Sequence, residues 1–296
     1  CVPSGFDVRE IPHEYTEYID IESLRCREYM DLKRARLSIG TLGGGNHFIE
    51  MNKDDNGNIY LVVHSGSRYL GKQIAEYYQD RATKAMIRKS NDKIIAELKQ
   101  RGKAREIQGE IKKRKEGFNG ALSYVDGQAF DDYIHDMGIA QKYAGYNRKA
   151  IAEVIIREMG FNVIDSFTTI HNYIDLDEMM LRKGAISANK GEKVIIPINM
   201  RDGSILATGK GNADWNQSAP HGAGRLMSRK QAKLNLSLEE FKKSMDGIYT
   251  TSLSMDTLDE APFAYKSMEE IIDNIQDTVE INRIIKPIYN FKASGN

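Results

Sequence analysis

Only two cysteines, Cys1 and Cys26, occur in these 296 residues, and they form no Cys-x-x-Cys pair. That removes a disulfide framework and a structural zinc site from consideration. Cysteine this sparse makes a reducing compartment the expectation, and the chain is expected in the cytoplasm. No apolar run nears the roughly 20 residues that cross a bilayer, so no membrane partner is expected. Net charge is absent too, because 42 Lys and Arg balance 42 Asp and Glu. Bulk charge therefore makes no case for nucleic acid, and any such binding must rest on a local patch. Proline is scarce at six residues, and tryptophan occurs once, as Trp215. What is plentiful is core material, 41% apolar, ample for one large domain or two smaller ones. The sequence begins at Cys1 rather than Met and reads at once as loop, so an amino-terminal part is expected to be missing.

Local patterns predict an α+β protein whose strands do not alternate regularly with helices. Phe48–Met51 reads as a strand, Asp54-Asp55-Asn56-Gly57-Asn58 as a hairpin turn and Ile59–Val63 as a buried strand. Further strands are predicted over Phe161–Ile164, Val194–Ile198, Ser204–Thr208 and Ile284–Phe291, with helices over 127–159, after Ser237 and over Met268–Ile275. Residues 72–116 read as a helical hairpin broken at Gly102 and inserted in a catalytic domain spanning 1–296. Between Lys84 and Lys115, twelve Lys and Arg stand against four Asp and Glu. Two readings fit this stretch: a solvated helix pair, or a basic arm for nucleic-acid phosphates.

Four of the six histidines sit in short motifs rich in glycine, asparagine, serine or arginine: GGGNH (43–47), HSGSR (64–68), HNY (171–173) and APHGAGR (219–225). Imidazole binds divalent transition metals and moves protons or groups near neutral pH. Glycine lets backbone amides approach and cradle phosphate. Taken alone, each motif also fits a structural loop histidine, but three Asn-flanked or strand-end cases favour a metal centre of manganese or zinc. Ser65, Gly66, Ser67 and Arg68 suggest an anion site beside His64. His221 differs, because small neighbours leave a ring nitrogen accessible and Arg225 stands ready to offset phosphate charge. That suits a nucleophile for phosphoryl or nucleotidyl transfer. His13 and His135 lie in polar or amphipathic surroundings and are read as surface or core-edge residues.

Together, GTLGGGNHFIE (40–50), VVHSGSRYLG (62–71), HNY (171–173), RKGAISA (182–188), SAPHGAGR (218–225) and DEAPFAYK (259–266) resemble the RtcB family of RNA-splicing ligases over essentially the whole chain. The resemblance implies an RtcB-like α+β fold with mixed sheets around a central active-site cleft. It implies a GTP- and manganese-dependent enzyme that joins RNA 3′-phosphate or 2′,3′-cyclic phosphate ends to 5′-hydroxyl ends, in RNA repair or tRNA splicing. An activating protein is a further implied partner. By the same matching, His221 is the guanylylated nucleophile, and His47, His64 and His171 are manganese ligands. Asn46, Glu50, Asn172, Tyr265 and Lys292 line the GTP site. Ser204 substitutes in a stretch, Asn199–Ser204, that departs from the family pattern. The family's amino-terminal Asp-x-Gly-Cys-Gly motif has no counterpart here. Rival readings are a metal-dependent phosphoesterase acting on RNA ends without ligation, and a non-catalytic RNA binder using the basic arm.

Overall fold

Five residues between the first two strands set their register. Asp54 turns its carboxylate back on its own loop, accepting the Asn56 and Asn58 backbone N–H groups, each at 2.9 Å. Gly57 supplies a φ of +86° there, a region that side chains with a Cβ rarely enter. The flanking strands β1 (Phe48–Lys53) and β2 (Ile59–His64) consequently pair antiparallel with Phe48 opposite His64.

The computed structural model describes residues 1–293 and divides into two units. The first unit holds residues 1–16, 36–66 and those from 144 onward. It contains strands β3 (His171–Asp175), β4 (Met180–Ser187), β5 (Lys193–Asn199), β6 (Gly203–Gly209), β7 (Ser218–Pro220), β8 (Tyr249–Thr250) and β9 (Val279–Phe291) besides the first hairpin. One sheet runs in the order β2-β1-β9-β6-β5, with β8 parallel to β9 and every other pairing antiparallel. A second sheet, in the order β3-β4-β7, is antiparallel throughout. The α-helices are α1 (Leu32–Ser38), α2 (Arg68–Gln100), α3 (Ile107–Glu116), α4 (Gly127–Met159), α5 (Arg229–Asn235), α6 (Leu238–Ser244) and α7 (Met268–Ile275). The second unit is residues 17–35 and 67–143, and so holds α2 and α3. The fold is mixed α+β, and no helix among the described residues is long and apolar enough to cross a membrane.

Alternation builds the core of the first unit. Val194, Ile196 and Ile198 of β5 are buried in one cluster with Ile205 and Ala207 of β6 and Ile271 and Ile275 of α7. Each buried isoleucine contributes about 1.5–3 kcal/mol of transfer free energy. Helix α7 starts where Ser267 accepts the Glu270 N–H at 3.1 Å, as an N-cap should.

Two expected strands turn out differently. Residues 161–164 lie outside every regular element, and Ile164 is 99% exposed. Gly160 ends α4 with φ +64°, and β-branched residues form a strand only where a partner strand pairs with them. Strand β2 is real but is an edge strand beside β1 alone, with Ile59 half exposed. Its apolar run therefore fits a half-covered edge instead of a buried centre.

One side chain of α4 ties together the loop that carries His47 and the loop that follows His64. The Asn147 carboxamide, fully buried, accepts from the backbone N–H groups of Gly40 (2.8 Å) and Thr41 (3.2 Å). Its Nδ2 donates to Thr41 O (3.2 Å), Ser65 Oγ (3.0 Å) and Gly66 O (3.0 Å). Buried polar groups left without partners are costly, so this amide holds both loops in one arrangement. Replacing Asn147 by Asp keeps the shape but puts an acceptor against three acceptors. The substitution is expected to lower the unfolding free energy by about 3 kcal/mol in urea denaturation. A loss below about 0.5 kcal/mol, the size of an ordinary surface change, would show that the amide does not hold the loops.

Candidate active site

The four glycine-set histidines converge from two sheets. His47 lies immediately before β1, and His64 ends β2. His171 opens β3, after residues that form no strand, and His221 directly follows β7. Ring centroids are 5.9 Å apart for His47 and His64, 5.2 Å for His64 and His171, and 4.8 Å for His171 and His221. The sequence separates these rings by up to 174 positions, yet the fold sets them in one row.

Burial first, then the neighbouring imidazoles, holds His64 well below the ordinary histidine pKa. Burial and His221 likewise lower His171. Both rings are therefore uncharged near neutral pH, the state in which imidazole ligates metal. His171 Nδ1 is buried without a hydrogen-bond partner. Among the described residues, no group of three His, Cys, Asp or Glu side chains is arranged as a complete metal site. The donor chemistry nonetheless fits a divalent ion: uncharged rings in succession, one with an orphaned buried nitrogen.

His221 is held differently. Its Nδ1 lies 2.7 Å from the Gly184 carbonyl, which only accepts, so Nδ1 is the donor, and in the neutral ring the lone pair then belongs to Nε2. Asn172 steadies that carbonyl's residue by accepting the Gly184 N–H at 2.7 Å. Asn172 itself takes φ +56° at the register shift between His171 and Tyr173, and Gly184 takes φ +67°. The amide of Asn172 is thereby committed to the stretch of β4 that orients the histidine. Asn46 is exposed on the Gly43–Gly45 loop.

A second cluster lies beside the row. Lys292 stands over the Phe48 ring at 5.5 Å, and Phe48 stacks on His64 at 5.1 Å. The Lys292 ammonium donates to Glu260 at 2.5 Å, and the Tyr265 hydroxyl donates to the same carboxylate at 2.7 Å. Burial alone would raise Glu260, but Lys292, Tyr265 and Arg229 outweigh it and hold the carboxyl at about 2. Arg225 does not face the histidine row with a free guanidinium, contrary to expectation. It donates to Tyr265 Oη (3.0 Å), Met227 O (3.1 Å) and Asp259 O, and pairs with Glu260 at 3.5 Å. Its charge is spent on scaffold instead of on phosphate. Ser65 is likewise committed, donating to Leu42 O at 2.8 Å. Ser204 lies fully buried in β6 between Pro197 and Ile285, its hydroxyl without a hydrogen bond.

Sequence reasoning missed three residues. Glu260 is the hub on which Tyr265 and Lys292 meet, although the DEAPFAYK run contained it. Asn147 looked like an ordinary position in a helical stretch. Arg148 follows it on α4, donating to Ser65 O (3.4 Å) and Thr168 Oγ1 (3.3 Å) with no carboxylate partner among the described residues. Partial burial lowers its pKa, and a half-buried guanidinium without a counter-ion among the described residues is a candidate anion holder.

Glu50 is buried at the Lys292 side of this cluster, accepting from Asn52 Nδ2 (3.4 Å) and Asn290 Nδ2 (2.5 Å). Burial pushes its carboxyl up to about 7, against the opposing pull of Lys292 and the two amides. A raised carboxyl binds its proton more tightly in the native state. Its contribution to stability is therefore present below the unfolded value of 4.5 and is lost as pH rises towards 7. The Oδ1 atoms of Asn52 and Asn290 have no hydrogen-bond partner, so a glutamine amide at 50 would give them a donor. Glu50→Gln is expected to be more stable than the wild type at pH 8 by roughly 2 kcal/mol, a gap that shrinks towards pH 5. A variant less stable than the wild type at pH 8 would contradict the burial argument.

A family model described as tRNA-splicing ligase RtcB matches residues 9–293. The RNA-splicing ligase RtcB of Escherichia coli K12 is 30% identical over 272 residues, covering 86% of this chain and 61% of that protein. The tRNA-splicing ligases RtcB of Aeropyrum pernix and Archaeoglobus fulgidus are 27% and 28% identical, covering 86% and 81% of this chain and 58% and 56% of their own lengths. The chain thus spans about three-fifths of the relatives it matches. With the match running nearly end to end and through all four histidine motifs, the chain belongs to the RtcB family.

Proposed function

We propose that this chain joins RNA ends bearing a 3′-phosphate or 2′,3′-cyclic phosphate to 5′-hydroxyl ends, using GTP through a guanylylated His221. The observation that carries the proposal is the Gly184 carbonyl on His221 Nδ1 at 2.7 Å. That contact fixes the ring's orientation and, in the neutral tautomer with the proton on Nδ1, puts the lone pair on Nε2, which supports its reading as the nucleophile. The names of the relatives, RNA-splicing and tRNA-splicing ligases, support the substrate class.

In this reading, His221 Nε2 attacks the α-phosphorus of GTP. A P–N bond forms, the bond between the α-phosphorus and the bridging oxygen breaks, and pyrophosphate leaves. The RNA 3′-phosphate oxygen then attacks the same phosphorus, breaking P–N and restoring the imidazole. The activated 3′ end is attacked by the 5′-hydroxyl, whose proton is lost as GMP departs. His47, His64 and His171 would hold divalent manganese, which when bound offsets charge on phosphate oxygens as a Lewis acid. Tyr265 and Lys292, joined on Glu260, would form one wall of the guanine nucleotide site with Glu50. Asn46 would meet phosphate from the glycine loop, and Asn172 would keep Gly184 of β4 in place. Ser204 would reach the nucleotide only if β6 loosened around it.

The test is ligation of two RNA oligonucleotides, one with a 3′-phosphate and one with a 5′-hydroxyl, in manganese and GTP. The wild-type chain is expected to give the joined product, and His221→Asn to lose it by roughly 10³-fold or more. Hydrolysis of the 3′ end without joining would overturn the proposal and favour a metal-dependent phosphoesterase.

A further inference from the structure

The chain as a whole is charge-balanced, so a local excess of one sign needs an account. Between Lys84 and Lys115, twelve Lys and Arg face four Asp and Glu, an excess of eight positive charges. This stretch covers the second half of α2 and all but the last residue of α3. All twelve basic side chains are exposed. Local pairing accounts for four of them: Lys84 with Asp80, Arg88 with Asp92, Lys103 with Glu106 and Lys113 with Glu110. Others, among them Lys89, Lys93, Lys112 and Lys115, have no ion pair among the described residues.

These unpaired charges are not scattered. Lys89 and Lys93 are four apart on α2, and Lys112 and Lys115 three apart on α3, so each pair shares a helix face. Arg114 Nη1 reaches Ser90 Oγ at 3.5 Å, which sets the end of α3 beside the turn of α2 that carries Lys89 and Lys93. A shallow groove on α2 is lined by Lys84, Ala85, Arg88, Lys89 and Asp92.

The chemistry of this surface discriminates between polyanions. A protein partner's interface has an apolar centre with aromatic residues enriched and lysine depleted. Here eight of the twelve basic residues are lysine, and none of the exposed large hydrophobics falls between 84 and 116. A surface of exposed lysines without an apolar centre suits a ligand that offers regularly spaced charge and asks for no shape match. A phosphodiester backbone is such a ligand.

We infer that the α2–α3 hairpin is an RNA-backbone-binding arm that holds substrate by its phosphates, independent of base sequence. The inference rests on the reading of the histidine site as one that handles RNA ends. It adds a second contact for the same RNA, carried by a part of the chain that contributes no site residue.

The test uses the full chain and a single-stranded RNA oligonucleotide, with binding followed by fluorescence anisotropy across a range of salt concentrations. The comparison variant combines Lys89→Gln, Lys93→Gln, Lys112→Gln and Lys115→Gln. A control combines Lys230→Gln, Lys233→Gln, Lys242→Gln and Lys243→Gln on α5 and α6. Four lost phosphate contacts should make the log–log salt slope shallower by about 3, and weaken binding roughly tenfold or more near 0.1 M salt. The control should keep the wild-type slope. An unchanged slope in the arm variant overturns the inference. So does unchanged RNA affinity with lost binding to an acidic peptide, which would mark a protein-docking arm. Labelling with GTP and manganese is read in parallel. Failure to label counts against the site reading alone, while the RNA slope still decides the arm.

Discussion

A single buried carboxamide holds the site together. Asn147 accepts from Gly40 and Thr41 and donates to Thr41, Ser65 and Gly66, so one side chain from α4 binds the loop entering β1 and the loop leaving β2. His47 sits on the first of those loops and His64 at the end of β2 directly before the second, and their separation follows from this arrangement together with the Phe48–His64 pairing. An amide suits the place because only an amide presents an acceptor and a two-proton donor on one rigid plane. Arg148, the next residue, brings a cation to the same spot, with no carboxylate partner among the described residues.

The second half of the site is built on backbone strain rather than on side-chain bonds alone. Asn172 at φ +56° and Gly184 at φ +67° depart from the regular β3–β4 ladder at the place where His171 and His221 must meet. Non-glycine residues in the left-handed region carry a cost, and such residues cluster at working sites. What the distortion achieves is visible in the bonds. Asn172 accepts the Gly184 N–H, the Gly184 carbonyl accepts from His221 Nδ1, and the irregular β3–β4 pairing becomes a mount for an imidazole. Beside it, Glu260 draws Lys292, Tyr265, Arg225 and Arg229 onto one carboxylate. This keeps the carboxyl-terminal strand and the segment after His221 in register with the histidine row.

Much of this was legible in the chain itself, for local reasons. The β1–β2 turn was marked by Asn-Gly, and α6 by its serine cap at Ser237. The four histidines stood out because glycine and asparagine around them serve backbone geometry and ligand approach. The remainder depends on partners distant in sequence. Asn147 sits in a helical run whose pattern gives no hint of a loop 106 positions away. Arg225 was read as a free cation because Glu260 and Tyr265 lie 35 and 40 positions on. Residues 161–164 carry strand-forming side chains, but nothing pairs with them. Ser204 alternates onto a buried face of a central strand, which strand order alone decides.

The central proposal gives the histidine row unequal roles: His47, His64 and His171 as ligands of a divalent ion, and His221 as the nucleophile. Peptide mass spectrometry locates the nucleophile directly, after the chain is incubated with GTP and manganese before any RNA is added. The account predicts the mass of one guanylate on the peptide containing His221 and on no other. A guanylate found on Lys292 or on another residue, with His221 unmodified, would contradict it.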